Sequence, residues 1–403
     1  MKSSTQLRIR LILTITLALG AAVCPGQTAA APESQRQTAL ALEQQGRNVE
    51  AETAWRAFLK THPSSPEPWA HLGLLEARQE HYKEAVPLYR KAMALNPAFP
   101  SLRLNLGLAL FKADELKLAI QEFKPLLKSQ PSGSPEAQRL NILLGMAHYG
   151  LEEYAEAAPY LKEAAARDPQ NLQLRLALAH SCLWSKQYRC VLDTYHEILM
   201  LNAESAEADM LAGEAQDELK NHGGAIEQFR AAVKADPKKP DVHFGLGYLL
   251  WTQRQYPEAA SEFHAELAND PNHVQAMIYL ADTQMQLNHP EAALPLLENA
   301  LRIDAGRELA HLDLGILYAD AGRRDDALRE MKEAARLAPE DVNVHWRLGR
   351  LYRSMGRKDE AKAELDKASS ITRAADNALI EKMDGAHARP PHAQEPAAAP
   401  PDK

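Results

Sequence analysis

Residues 66–99 read PEPWAHLGLLEARQEHYKEAVPLYRKAMALNPAF. This 34-residue stretch is one unit of a beat that runs through almost the whole chain. Its closing mark, Pro97, recurs as Pro63 and Pro131, then after one longer gap at Pro169, Ala203, Pro237, Pro271, Ala305, Pro339 and Arg373. Aligned on that mark, the eighth place of the units reads Ala39, Gly73, Gly107, Gly145, Ala179, Gly213, Gly247, Ala281, Gly315 and Gly349. The twentieth reads Ala51, Ala85, Ala119, Ala157, Val191, Ala225, Ala259, Ala293, Ala327 and Ala361. Small residues at two fixed places in every unit mean two helices whose backbones cross closely, with a Leu-rich seventh place filling the space beside them.

The pattern resembles the tetratricopeptide repeat family. Trp69, Leu72, Gly73, Ala85, Tyr89, Ala92 and Pro97 stand at the family's marked places, as do Leu314, Gly315, Tyr318, Ala327, Ala334 and Pro339, and Leu348, Gly349, Tyr352, Ala361 and Ala368. The resemblance covers residues 32–375 as ten units. It implies an all-α solenoid of helix-turn-helix repeats forming a superhelix, one array rather than several domains, and a scaffold that binds other proteins. The fold alone does not choose the partner.

Departures from the beat carry their own expectations. Repeat one, with Gln35 and Thr38 where large apolar residues belong, reads as a polar or frayed cap. Four extra residues near 132–135 are expected to loosen the joint between repeats three and four. Pro87, Pro159 and Pro295 share the twenty-second place and should kink their helices. Residues 374–383 read as one more amphipathic helix, a cap over 376–384 with Leu379, Ile380 and Met383 covering the last repeat. The Pro/Ala-rich stretch 385–403 reads as a disordered tail.

The first thirty residues are distinct. Lys2, Arg8 and Arg10 precede an apolar run over 11–23, and Thr28-Ala29-Ala30 offers a small-residue cleavage site, the pattern of a secretory signal peptide. That stretch of thirteen residues, with Thr14 and Thr16 inside it, is short for a bilayer span. The expectation is an exported chain, periplasmic or secreted, with no membrane insertion after cleavage. A lipoprotein attached through Cys24 is the alternative. Without residues 1–30, 43 basic residues face 54 acidic ones, a net of −11, which argues against a nucleic-acid partner.

Cys182 and Cys190 lie on either side of the turn in repeat five. An oxidising compartment would permit a disulfide. Their places, eleven and nineteen, are not both on the helix-helix contact line, so two buried thiols are the favoured reading. No catalytic or cofactor motif is present: the sequence lacks a Gly-rich phosphate loop, His-Glu-x-x-His and Gly-x-Ser-x-Gly. His243, His311 and His345 share the fourth place, but successive repeats hold that place a helix-pair apart. They read as stand-ins for a bulky residue and not as metal ligands.

In the family the second, fifth, ninth, twelfth and thirteenth places of each first helix look into a concave groove; helical spacing independently puts five, nine and twelve on one face. Those places hold Leu104, Leu108 and Phe111, then Ile142, Met146 and Tyr149, then Leu176, His180, Leu183 and Trp184. Later units add Phe244, Tyr248 and Trp251, Ile278 and Met285, Leu312 and Ile316, and Trp346. Two readings stand together: aromatic anchors for a bound peptide or helix, or packing against neighbouring repeats. Glu207, Glu214, Asp217 and Glu218 make repeat six acidic, and Arg347, Arg350 and Arg353 make repeat ten basic, so a ligand with a basic middle and an acidic end would suit them unless these are simply solvated charges. The family's clamp for a terminal carboxylate is not carried over: Asn105 and Arg139 fit two of its places, but Ala70, Leu74 and Leu143 occupy the others. An assembly module binding through its outer face, ends or tail is the alternative function.

Overall fold

The computed structural model describes residues 32–99 and 101–387, and among them it contains twenty helices and no strand. The proposed signal segment, Cys24 and most of the proposed tail lie outside the described residues. Each repeat is one helix pair, as in repeat two, where Pro66–Arg78 is followed by Tyr82–Leu95. The chain forms an all-α tetratricopeptide-type solenoid.

The helices begin and end for local reasons. Several first helices are capped by side chains at the junctions between repeats: Ser134 accepts from the Ala137 N–H, Asn171 from Leu174, Ser205 from Ala208, and Asp341 from both Asn343 and Val344. Within every repeat the first helix stops at the fifteenth place on a left-handed residue. Glycine stands there in Gly46, Gly322 and Gly356, but Glu80, Asp114, Glu152, Lys186, Lys220, Arg254 and Asn288 adopt the same positive φ. The paired bonds of a Schellman turn follow, for example Glu152 N–H to Tyr149 O at 3.0 Å and Glu153 N–H to His148 O at 2.9 Å.

Packing inside a repeat rests on the eighth place. A Cβ on Gly107 would stand 2.5 Å from Cε1 of Phe123, and one on Gly247 would stand 2.7 Å from Cε1 of Phe263. Gly73 meets Tyr89, Gly213 meets Phe229, and Gly315 meets Met331 in the same way. Phe123, Phe263 and Tyr89 are fully buried, so their rings have nowhere to go.

Residue contacts divide the chain into two units where one array was expected, the first ending at Ala235 and the second beginning at Asp236. The sequence between the flanking helices, Asp236-Pro237-Lys238-Lys239-Pro240, carries two prolines within four residues. The first unit holds repeats one to six and the second repeats seven to ten.

Two expectations change. The extra residues near 132–135 do not become a longer loop: Ser134 caps, Pro135 takes the first helical position, and the first helix of repeat four runs Pro135–Gly150, lengthened at its start. Gln138 Nε2 then bonds Ala164 O at 2.9 Å, tying that added turn to its own repeat. The separate cap over 376–384 does not exist. Arg373 replaces the closing proline and no glycine comes before Gly385, so the second helix of repeat ten continues as one element, Lys358–His387, which includes the first residues assigned to the tail. Ile380, expected to cover the last repeat, is 55% exposed. Repeat one forms both helices, and the exposed Thr38 and Gln35 give its first helix the polar outer face of a cap. Pro87, Pro159 and Pro295 sit inside helices that run uninterrupted through them, as does Pro125.

Gly107→Ala and Gly247→Ala are expected to destabilise by about 1–3 kcal/mol, despite alanine's better helix propensity, because a methyl overpacks an immobile ring. Gly223→Ala, with nothing within 4 Å of its Cβ, should not destabilise. Glu80→Gly, Glu152→Gly and Arg254→Gly should each stabilise by about 0.5–1 kcal/mol through relief of the left-handed backbone. Thermal melts of the single variants read both expectations.

Candidate functional site

The first-helix face of the first unit carries an aromatic group built across repeats four to six. Tyr149 ends the helix Pro135–Gly150, and its ring lies 5.6 Å from Tyr154 and 6.4 Å from His180, both edge-on. Trp184, at the end of Leu172–Trp184, stacks on Tyr154 at 6.2 Å and is 49% exposed. Met146 is half-buried on the same core cluster as Tyr149. Burial pushes the Tyr149 hydroxyl up to about 12, with Tyr154 and the Glu207 carboxylate adding to the effect. His180 is a linker and not a free contact, since its Nε2 meets Glu207 Oε1 at 3.0 Å. Phe111 is half-buried against the core cluster of repeats two to four.

The acidic stretch of repeat six is internally engaged. Glu207 pairs with His180, Asp217 with His222 at 2.7 Å, and Glu218 accepts from the Tyr188 hydroxyl at 3.3 Å. Its charges are therefore spent within the fold to a degree the sequence did not show, which weakens the match to a basic ligand middle there.

In the second unit the face is divided between packing and display. Phe244 is a correction: only 3% exposed, it packs on Phe263 at 6.0 Å, Tyr279 at 5.9 Å and His273 at 5.0 Å, and offers nothing to a partner. Tyr248 and Trp251 are half-exposed and stack at 6.1 Å, and Tyr279 meets both edge-on at 5.3 and 5.1 Å. The Trp251 indole N–H donates to Asp282 Oδ2 at 2.5 Å. Met285 is half-buried on the neighbouring core cluster. In repeat ten Trp346 is 43% exposed with the Arg350 guanidinium 4.6 Å over its ring, while Arg347 Nε donates to Asn343 Oδ1 at 3.2 Å.

Four participants were not singled out from sequence: Tyr154, Tyr279, Asp282 and Asp313. Asp282 occupies a ninth place and a scan for charge as well as apolarity would have found it. Tyr279 and Asp313 hold the sixth place, outside the positions carried over from the family. Asp313 is 4% exposed, and its Oδ2 has no hydrogen-bond partner. Burial raises its carboxyl well above the ordinary carboxylate range; the nearby Asp282 charge raises it further, and Arg347 opposes.

The fourth-place histidines are structural. His243, His311 and His345 each turn Nδ1 to a glutamate on the second helix of the same repeat, Glu262 at 2.6 Å, Glu330 at 2.8 Å and Glu364 at 2.6 Å. Asp241, Glu266 and His273 bring ligand-type atoms within 4.8 Å of one another, yet all are engaged by the protein. Glu266 accepts the Asp241 and Phe244 backbone N–H groups, and His273 Nδ1 accepts from Ala276, so its proton sits on Nε2 and is donated to Asp241 at 2.8 Å. A metal there would have to displace a helix cap. The reading of Cys182 and Cys190 as thiols is overturned: they form a disulfide with Cα atoms 5.9 Å apart. The tight turn between the two helices, with Gln187 N–H on Cys182 O at 2.7 Å, brings the last turn of one helix beside the first turn of the next.

The raised Asp313 carboxyl sets a sign for stability. The folded state keeps a proton that the unfolded chain releases near pH 4, so stability falls as pH rises from there towards the folded value. Asp313→Asn is therefore expected to melt at a higher temperature than the unmodified chain at neutral pH, and the gap should close as pH is lowered towards 4. Melting curves across that range measure it; equal melting temperatures at every pH would contradict it.

Comparison with known proteins matches the fold just described. Two tetratricopeptide repeat profiles fit the chain, one over residues 76–141, 149–215 and 318–379 and the other over 36–101, 192–240 and 244–308. Similar curated proteins include the DnaJ protein P58IPK homolog A of Oryza sativa subsp. japonica, 24% identical over 44% of this chain and 40% of its own length. The BBSome complex member BBS4 of Bos taurus is 25% identical over 50% of this chain and 38% of its own. The chain thus spans about two-fifths of the length of these relatives. Among solved structures, YrrB, described as a TPR protein with an unusual peptide-binding site, is 21% identical with a TM-score of 0.38 and covers 47% of this chain and 97% of its own. The Cut9-Hcn1 hetero-tetramer of the APC/C is 12% identical with a TM-score of 0.43, covering 86% and 88%. Together the profiles fit well over half of the sequence, and the chain belongs to the tetratricopeptide repeat family.

Proposed function

We propose that the protein is a non-catalytic interaction scaffold that holds a peptide or protein segment on its first-helix faces, in an exported setting. The observation that carries this is the exposure of Trp184 and Trp346, two large indoles on first helices, each set beside other aromatic or cationic groups. Trp and Arg are the residues that most often concentrate binding energy at protein interfaces, each contributing about 2 kcal/mol or more when covered. Half-buried Met146, Tyr149, Tyr248 and Trp251 have the mixed character of an interface core: anchored on one side and open on the other. Family membership supports a protein partner, and a relative described as a complex member fits that role.

Export is supported by the signal-like pattern of residues 1–30 and by the Cys182–Cys190 bridge, which persists in an oxidising compartment. Among the described residues no helix is long and apolar enough to cross a membrane.

Affinity capture from native extract tests the binding face. Trp184→Ala with Trp346→Ala is expected to lose partner capture by tenfold or more at unchanged helicity; equal capture would move the binding surface to the second helices or the termini. The setting has its own check. Protein alkylated in intact cells should show Cys182 and Cys190 blocked until reduced, whereas free thiols at both would count against export.

A further inference from the structure

Among the described residues of the second unit, Asp313 is the one place on the first-helix face where the fold leaves a strong acceptor buried and unanswered. Its Oδ2 has no hydrogen-bond partner, and the side chain makes no ion pair among the described residues. Buried polar groups are ordinarily paired, and an orphan of this kind marks either a strained site or an absent partner. Asp282, whose charge acts on Asp313, is half-exposed and holds one oxygen on the Trp251 indole and the other on Gln286 Nε2 at 3.4 Å. Arg347 is the cation nearest in effect, but its Nε is committed to Asn343. The aromatic walls are Trp251 and Tyr279, 5.1 Å apart and edge-on.

We propose that Asp282 and Asp313, flanked by Trp251 and Tyr279, form a subsite for the lysine or arginine side chain of a peptide segment lying on the first-helix face. The proposal rests on the scaffold reading above and names the chemistry of one position in its ligand. Charge complementarity is the argument: a cation would supply the donor that Asp313 Oδ2 lacks and face the half-exposed Asp282 charge, and a guanidinium or ammonium also gains from the faces of Trp and Tyr. The unmet carboxyl costs stability in the free protein, and a bound cation offsets that cost.

The test uses the full chain and a randomised dodecapeptide library displayed on phage. Peptides selected on the unmodified chain are remade with each arginine changed to citrulline or each lysine to norleucine, and are titrated against the unmodified chain, Asp282→Asn, Asp313→Asn and Trp251→Ala. The expected result is enrichment of one basic position, with at least tenfold weaker binding when that charge is removed and a similar loss with either Asn variant. Peptides that are lost with Trp251→Ala but carry no basic position, or bind within twofold after neutralisation, overturn this subsite while leaving the scaffold reading in place. Recovery of no peptide on the unmodified chain overturns both. The peptide-side neutralisation keeps the test decisive even if an Asn variant folds poorly.

Discussion

The contact between the eighth and twenty-fourth places of each repeat is the constraint on which everything else depends. Gly107 under Phe123, Gly247 under Phe263 and Gly73 under Tyr89 let a ring lie directly on the backbone of the first helix. That sets the distance and rotation of the pair, and rotation decides which face of the first helix turns toward its own repeat and which is left for a partner. A residue four places away from a packed one can be displayed, as Tyr248 is beside the buried Phe244.

This division explains what was legible in the sequence. Ten units, their small residues and their helix pairs follow from the 34-residue beat, because close backbone approach admits almost no choice of residue. The uninterrupted last helix was legible too, since Arg373 stands where a proline should end it, but the apolar residues 379, 380 and 383 suggested a separate element. Packing and display at the fifth and ninth places were not separable. Both places share a face, and it is the rings around them that differ: Phe263, His273 and Tyr279 close over Phe244, while Tyr248 meets Tyr279 edge-on and stays half-covered. The disulfide was misjudged because the contact line between helices is not the only approach: the turn itself brings Cys182 and Cys190 together.

Charge is handled with the same economy across both units. Buried Glu43 receives the Trp55 indole N–H at 2.5 Å and faces His71 Nδ1 at 2.8 Å in the first unit; buried Glu266 caps a helix in the second. The fourth-place histidines are each tied to a glutamate of their own repeat. Polar groups are thereby drawn into structural pairs, whereas Asp313 Oδ2 is left buried without a hydrogen-bond partner.

Covalent footprinting of the protein isolated with its native partner, compared with the protein alone, tests the central claim most directly. The account predicts that labelling of Trp184, Trp251 and Trp346 on the first helices falls in the complex while exposed second-helix residues such as Met200 stay labelled. Protection confined to the second helices, with the three indoles labelled as before, would contradict it.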